Sequence, residues 1–417
     1  MSTRWHFCVA LFFAILVYGT PDLNAQGRRR SGARARAARR AAARSGAVTD
    51  GWFFAVSGDS RDCGDIIMPK IAKSIESRRA HAPVQFYWHL GDYRALYRID
   101  CDIAKRTNPD FNCMPDQRTQ NEIDATKKRN YLNNAWQDFI ASQATPFTRS
   151  GIPMFLGIGN HEFGTFRLGD SVQKTFTRDD YRRTFRTWLT QVPIESQRMA
   201  DTRKGISSLR GDSYYHFTQR GVDFIYLDNA DPNVGFSDDQ VKWLTKVLAA
   251  DSEDSTVKTI VVGMHAALPH STSRGHAMDA SCPSYCSGMK VYDLLQKAQG
   301  LNSPASRRKH VYVFASHSHY FEENIYNTPE HTDEVLPGWI VGTAGAEQYR
   351  DTIKYGYLQV KVRADGTLDT DFVDVTRESL PMVEGAGAAQ LTDFCFTSNK
   401  KLSTDRIAQG CACQTTP

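Results

Sequence analysis

At 417 residues the chain can bury a large core, and length alone would allow two or three domains. Its net charge of +5 comes from one end: nine of the 51 basic residues and one of the 46 acidic ones precede Val48, leaving 42 against 45, a balance of −3. With the basic excess confined to that segment, composition excludes a folded body built to hold nucleic acid by bulk charge, and no specific nucleic-acid partner is expected.

Arg4 stands before an apolar run from Phe7 to Tyr18, and Ala25 offers a small residue for cleavage, which predicts a signal peptide over 1–25. The twelve residues of that run fall short of the about 20 a helix needs to cross a bilayer, so an uncleaved anchor is the weaker alternative. No cysteine sits near Ala25 to take a lipid, and the triplet Arg28–Arg30 follows the apolar run, unlike a twin-arginine signal. Residues 26–48 form a linker rich in Arg and Ala, whose natural partner is an anionic membrane surface. The same acid-poor composition fits a transit sequence. The expected location is secreted, periplasmic or another exported compartment, with an organelle reached by signal plus transit sequence as the alternative.

Nine cysteines become eight once Cys8 is removed with the signal, and an even number in an exported chain favours disulfides. Cys101 with Cys113 and Cys282 with Cys286 would close short loops, while Cys395, Cys411 and Cys413 crowd the tail. A structural zinc site is disfavoured because no paired C-x-x-C occurs.

The folded body is expected over 49–378. Trp52 to Val56 reads as a buried strand leading into Gly58-Asp59, and Asp65 to Arg78 as a helix with Ile66, Ile67, Ile71 and Ile75 inward. A second strand, Val84 to Leu90, ends in Gly91-Asp92. Tyr93 to Lys128 is polar and reads as a long insertion over the site, a candidate for substrate choice. A helix from Tyr131 to Ile140 precedes the strand Ile152 to Leu156, which ends in Gly157-Ile158-Gly159-Asn160-His161-Glu162.

Another helix is expected from Tyr181 to Val192, then a hairpin of Ser213 to Thr218 and Val222 to Asp228 turning at Gln219-Arg220-Gly221. Ser237 caps a helix with Val241, Leu244 and Leu248 inward. The strand Thr259 to Gly263 delivers His265; beyond it His270 and His276 read as surface residues. Val311 to Ala315 leads into Ser316-His317-Ser318-His319. Gly338 to Gly342, Tyr357 to Val362 and Thr370 to Val375 read as further strands, with Asp365-Gly366 as a tight turn. Residues 379–417 are expected to be a cysteine-stapled tail without a domain of its own.

Five apolar runs thus end in polar residues, and in an open α/β sheet ligands bind beyond the carboxyl ends of the strands. Taken singly, Asp59 and Asp92 read equally well as helix caps and His265 as a core histidine. Taken in order, Gly58-Asp59, Gly91-Asp92, Gly159-Asn160-His161-Glu162, His265 and His317-Ser318-His319 resemble the calcineurin-like metallophosphoesterase superfamily, its purple acid phosphatase branch included.

That resemblance spans roughly Trp52 to Val375. It implies a four-layer α/β/β/α sandwich of two mixed sheets, and two metal ions of iron, manganese or zinc. Asp92 would bridge them, with Asn160, His265 and His317 on one and Asp59 and His319 on the other. It implies hydrolysis of a small phosphorylated substrate by metal-activated water, with His161 protonating the leaving oxygen and Glu162 orienting that imidazole. Monoester, diester and nucleotide substrates all fit.

The chain departs from the pattern twice. Ser316 replaces a glycine, and Arg61 stands where the superfamily has a metal-binding histidine. A guanidinium has no lone pair, so Arg61 cannot be a ligand. Either one metal is weakly held and Arg61 takes over part of its charge-stabilising role, or Asp62 or Tyr93 fills the vacancy. A serine hydrolase is disfavoured because no G-x-S-x-G elbow occurs. The serious rival is a catalytically weak or inactive metal-binding or interaction protein of the same fold.

Overall fold

The computed structural model describes residues 51–113, 123–273, 276–278, 286–300, 308–332, 335–376 and 388–400. The expected signal and linker, Cys282, Cys411 and Cys413 lie outside them.

In chain order the first elements are β1 (Trp52–Ser57), α1 (Gly64–Ser77), β2 (Val84–His89), α2 (Cys101–Thr107), α3 (Ala125–Phe139), α4 (Thr145–Arg149) and β3 (Met154–Leu156). Then come β4 (Gly164–Leu168), β5 (Val172–Phe176), α5 (Arg178–Thr184), α6 (Arg186–Leu189), α7 (Val192–Arg203), β6 (Tyr215–Gln219) and β7 (Val222–Leu227). The rest are α8 (Asp238–Glu253), β8 (Thr259–Met264), α9 (Ser287–Gln299), β9 (His310–Ala315), β10 (Phe321–Glu323), β11 (Gly338–Val341), β12 (Gly356–Val362), β13 (Leu368–Asp374) and α10 (Ala388–Asp393).

The strands form two mixed sheets and a hairpin, β4-β5. One sheet runs β13-β12-β1-β2-β3, the other β10-β11-β9-β8-β7-β6. Three neighbouring strands are parallel in the first, β1, β2 and β3, and four in the second, β7, β8, β9 and β11. Parallel strands covered on both faces need near-continuous apolar sequence, and every residue of β7 and β8 is buried. Edge strand β13 is mostly half-exposed and carries three aspartates, a composition that discourages further pairing.

Aromatic rings join the facing sides of the two sheets. Phe54 of β1 stacks on Phe86 of β2 at 5.5 Å, and both meet Phe224 of β7 edge-on at 5.0 Å. On the far side of the second sheet, Ile225, Val262 and Val313 pack with Trp243 and Leu244 of α8 and with Val291 and Leu295 of α9. Helix α1 buries Ile66, Ile67, Ile71 and Ile75 as its spacing predicts. It meets the first sheet through Ser74 Oγ and Tyr357 Oη, 3.3 Å apart.

The β6–β7 turn places Arg220 and Gly221 at φ of 50° and 82°, the left-handed pair that a two-residue hairpin requires. Ser237 Oγ accepts the Gln240 N–H and caps α8. Leu244 and Leu248 are buried while Val241 is only half-buried; Trp243 and Val247 complete that face.

Three expectations are corrected. The helix expected over Tyr181 to Val192 is three: Thr177 and Asp180 cap α5 reciprocally, and Pro193 in the first turn of α7 starts a new helix. The segment after Asp92 does not simply lie over the site. Tyr93 to Leu96 are fully buried, and Arg94 reaches Asp102 and Asp65 at 2.9 and 2.6 Å. A buried guanidinium persists only when its charge is matched, so this stretch is an inner wall, closed by the expected Cys101–Cys113 disulfide. Finally, Cys395 is bonded to Cys63, with Cα atoms 6.0 Å apart, not to a neighbour in the tail. Asn399 donates to Tyr355 Oη at 2.8 Å and to Gly345 O at 3.2 Å, so residues 388–400 are fastened to the body. Cys286 is disulfide-bonded. Among the described residues no helix is long and apolar enough to cross a membrane.

Candidate metal centre

The parallel strands of both sheets turn their carboxyl ends to one crevice. Asp59 follows β1, Asp92 follows β2, and Asn160-His161-Glu162 form a 3-10 turn beyond β3. From the second sheet, His265 follows β8 directly, and His317 and His319 follow β9. Hydrogen bonds lace the ends together: Asp59 N to Gly91 O at 3.0 Å, Ser60 N to Asp92 O at 2.9 Å, and His317 N to Asp59 Oδ2 at 2.8 Å across the sheets. Asp59, Asp92 and His317 all have left-handed backbones, at φ of 61°, 61° and 65°. Such conformations cost on the order of 1–3 kcal/mol each in non-glycine residues and persist where side-chain aim is constrained.

The contacts of His265 test whether these side chains fit a cation. Its Nδ1 faces Leu90 O and Ser316 Oγ, both at 3.1 Å. Its Nε2 faces Asn160 Oδ1 at 2.8 Å, His317 Nδ1 at 3.0 Å and Asp92 Oδ1 at 3.3 Å. A single proton on that nitrogen can serve only one of these acceptors, whereas a cation serves all of them. Among the described residues Asp59 Oδ1 and Asp92 Oδ2 are buried without a well-formed hydrogen bond; His319 Nε2 lies 3.4 Å from the first and His161 Nε2 3.6 Å from the second. Two groups of side chains, Asp92-His265-His317 and Asp59-Asp92-His319, each place their ligand atoms within 4.8 Å of one another, sharing Asp92. This donor set of carboxylate oxygen, amide oxygen and imidazole nitrogen fits iron, manganese or zinc.

Burial alone would raise the Asp59 and Asp92 pKa values; the surrounding imidazoles outweigh it and hold both below the usual carboxylate range. For His265 burial pulls down, but Asp92 wins and lifts it to about 9. His317, half-buried, is held well below 6.5 by desolvation and by the neighbouring His265.

Arg61 joins the two remaining imidazoles. Nη1 donates to His161 Nε2, and Nη2 donates to His319 Nε2 at 2.8 Å. The other nitrogens of those rings are committed to backbone: His161 Nδ1 donates to Ala95 O, and His319 Nδ1 to Glu347 O at 2.7 Å. Burial, with Arg61 adding to it, holds His161 at about 4, so its Nε2 carries a lone pair at neutral pH.

Glu162 does not orient His161. It accepts the N–H groups of Asp92 and Gly159 at 2.8 Å and of Tyr93 at 2.9 Å, and so clamps the loop that carries Asp92. Neither proposed substitute for the missing histidine reaches the centre. Asp62 pairs with Arg98 at 2.5 Å, and Tyr93 Oη donates to Gly157 O.

Other neighbours had no motif to announce them. Tyr349 stacks on His319 at 4.3 Å, and Tyr97 lies 5.3 Å from the His161 ring. His276 is no surface residue: it is half-buried, 5.4 Å from the His317 ring and 4.8 Å from Tyr349. The Ala267–Ala277 bridge folds its loop back over the end of β8. His270 is half-buried too, 5.9 Å from His331. Asn229, after β7, accepts the His265 N–H at 3.0 Å. Ser316 has a structural counterpart in Gly58, where a Cβ would lie 2.7 Å from the serine's Cβ and Oγ.

No family model matches the chain, and no curated protein matches it. Among solved structures it is similar to a dimetal phosphatase from Danio rerio, with 13% identity and a TM-score of 0.44 over 78% of this chain and 97% of that one. It is also similar to a purple acid phosphatase from yellow lupin (Lupinus luteus) seeds, with 13% identity and a TM-score of 0.45 over 85% of this chain; it spans 57% of that enzyme. A third is GAP50, the anchor in the inner membrane complex of Plasmodium, with 12% identity and a TM-score of 0.41 over 87% of this chain and 94% of that one.

Proposed function

We propose that the chain is a metal-dependent phosphoric ester hydrolase of the calcineurin-like metallophosphoesterase type, with two mixed sheets and their outer helices as a four-layer α/β/β/α sandwich. The observation that carries this reading is the set of lone pairs around His265 Nε2, with Asn160, Asp92 and His317 within 3.3 Å and too few protons to satisfy them. Asp92, Asn160, His265 and His317 would hold one ion; Asp59 and His319, with Asp92, form the second candidate group. A bound iron, manganese or zinc ion supplies positive charge against developing oxyanions and a more acidic water.

The chain's own groups then have distinct tasks. Glu162 keeps the Asp92 loop in register. Arg61 offers two N–H donors in a fork that matches two phosphoryl oxygens. Phosphoryl oxygens that share the Arg61 N–H groups weaken its hold on His161 Nε2; that imidazole, kept unprotonated chiefly by burial, would then take a proton from solvent and pass it to the leaving oxygen. The substrate is a small phosphorylated molecule, whether monoester, diester or nucleotide.

Residues 49–378 would form this catalytic domain and 379–417 its tail. The Cys63–Cys395 and Cys101–Cys113 bonds support an oxidising, exported location. The rival reading, a metal-binding or interaction protein with weak or no turnover, draws on the grip of Arg61 on His319. Turnover of p-nitrophenyl phosphate and bis(p-nitrophenyl) phosphate with iron, manganese or zinc separates the two. Hydrolysis that disappears in Asp92→Asn supports the hydrolase. Metal binding without turnover of either ester supports the rival, and no metal binding overturns both.

A further inference from the structure

We propose that the Arg61 guanidinium is itself the second cation of this centre, so that the protein holds one metal ion per chain. This rests on the metal-dependent reading above and narrows it.

The geometry leaves the second group without a free nitrogen. His319 has committed Nδ1 to Glu347 O, so Nε2 is its one possible ligand atom, and Arg61 Nη2 lies 2.8 Å from it. An ion ligated by that nitrogen would sit about 2.0–2.1 Å away, in the space the guanidinium nitrogen takes. His161 Nε2, the other lone pair on this side, is held by Nη1 of the same fork. A permanent positive charge there also opposes a second cation, and it interacts with the negative charge of Asp92 that a metal would otherwise neutralise.

Arg61 is built into this position. Its side chain is 95% buried, at 5% exposure, and Tyr97 covers it with the ring centroid 5.7 Å from Cζ. Its carbonyl accepts the Cys63 N–H at 2.8 Å, and Cys63 is bonded to Cys395. Asp62 and Tyr93 are both engaged away from the centre. One divalent ion plus Arg61 brings three positive charges against the two of Asp59 and Asp92, leaving a net positive crevice for a phosphate. Activation of water then belongs to the Asp92-Asn160-His265-His317 ion alone, and Arg61 contributes by binding phosphoryl oxygens.

The test is a metal count on the full chain after exhaustive dialysis, by plasma mass spectrometry, for protein loaded separately with iron, manganese and zinc. One ion per wild-type chain is expected, retained in Asp59→Asn and lost in His317→Ala. Arg61→His, which restores an imidazole, is expected to hold two. Two ions in the wild type, loss of the single ion in Asp59→Asn, or a count still at one in folded Arg61→His would each overturn the proposal. A wild-type count of zero instead overturns the metal-dependent reading on which it rests.

Discussion

Glu162 reaches past its neighbour His161 to hold the backbone N–H of Asp92 at 2.8 Å. The same carboxylate accepts two further N–H groups, from Gly159 and Tyr93. Glu162→Gln would turn its amide NH₂ toward at least one of these donors. We expect a stability loss of roughly 1–3 kcal/mol, the cost of a buried donor left unmet, together with weaker metal binding because the Asp92 loop loosens. Urea unfolding and calorimetric metal titration check the two effects; unchanged metal affinity would mean the clamp is unnecessary for aiming Asp92.

His161→Ala removes the proposed proton donor but no metal ligand. Metal content is expected to match the wild type while turnover of an alkyl phosphate falls about 10²–10⁴-fold, the usual contribution of general acid–base catalysis. The fall should be smaller for p-nitrophenyl phosphate, whose leaving group needs no proton. Equal losses on both esters would assign His161 to holding Arg61 instead.

A second buried imidazole, remote from the metal centre, sets a pH limit. His216 lies between Asp223 at 2.8 Å and Asp201 at 2.5 Å. Burial alone would lower its pKa, but the two carboxylates outweigh burial and raise it from 6.5 to about 10. A raised folded-state value means the stabilisation is complete below 6.5 and is lost as pH rises through about 10. Asp251, raised to about 9 by burial and Asp223, works in the same direction, binding its proton more tightly in the folded chain. Chemical denaturation between pH 6 and pH 10.5 should show stability declining across this range, and His216→Gln should flatten the decline.

Gly58 and Ser316 form a testable pair. Gly58→Ala alone would force its Cβ to within 2.7 Å of Ser316, an overpacking worth about 1–3 kcal/mol. Adding Ser316→Gly should recover most of that loss. A double-mutant cycle by urea unfolding measures the coupling, and additive effects would refute it.

The sequence disclosed this site because strands buried on both faces must be apolar throughout. The polar residue that ends each run therefore stands out, as Asp59, Asp92, Asn160, His265 and His317 do. The expectation that their strand ends converge holds in three dimensions, as does the division into two mixed sheets. What stayed hidden depends on side-chain reach. Glu162 adjoins His161 in sequence, yet the 3-10 turn sends it to the Asp92 backbone. His276 and Tyr349 arrive on loops with no periodic pattern. The pairing of Cys63 with Cys395 could not be chosen from spacing, since any bond across 332 residues needs the finished fold to bring its ends together.

That same bond sets a timetable for the chain's synthesis. Cys63 emerges from the ribosome 332 residues before Cys395, so the loop bearing Arg61 stays covalently unsecured until every strand described above has been made. Cys101 and Cys113 appear much sooner, and their segment docks on the same loop, with Asp102 N bonded to Asp62 O at 2.9 Å. A chain interrupted before Cys395 would carry every metal-ligand motif yet lack the closure that secures the loop bearing Arg61.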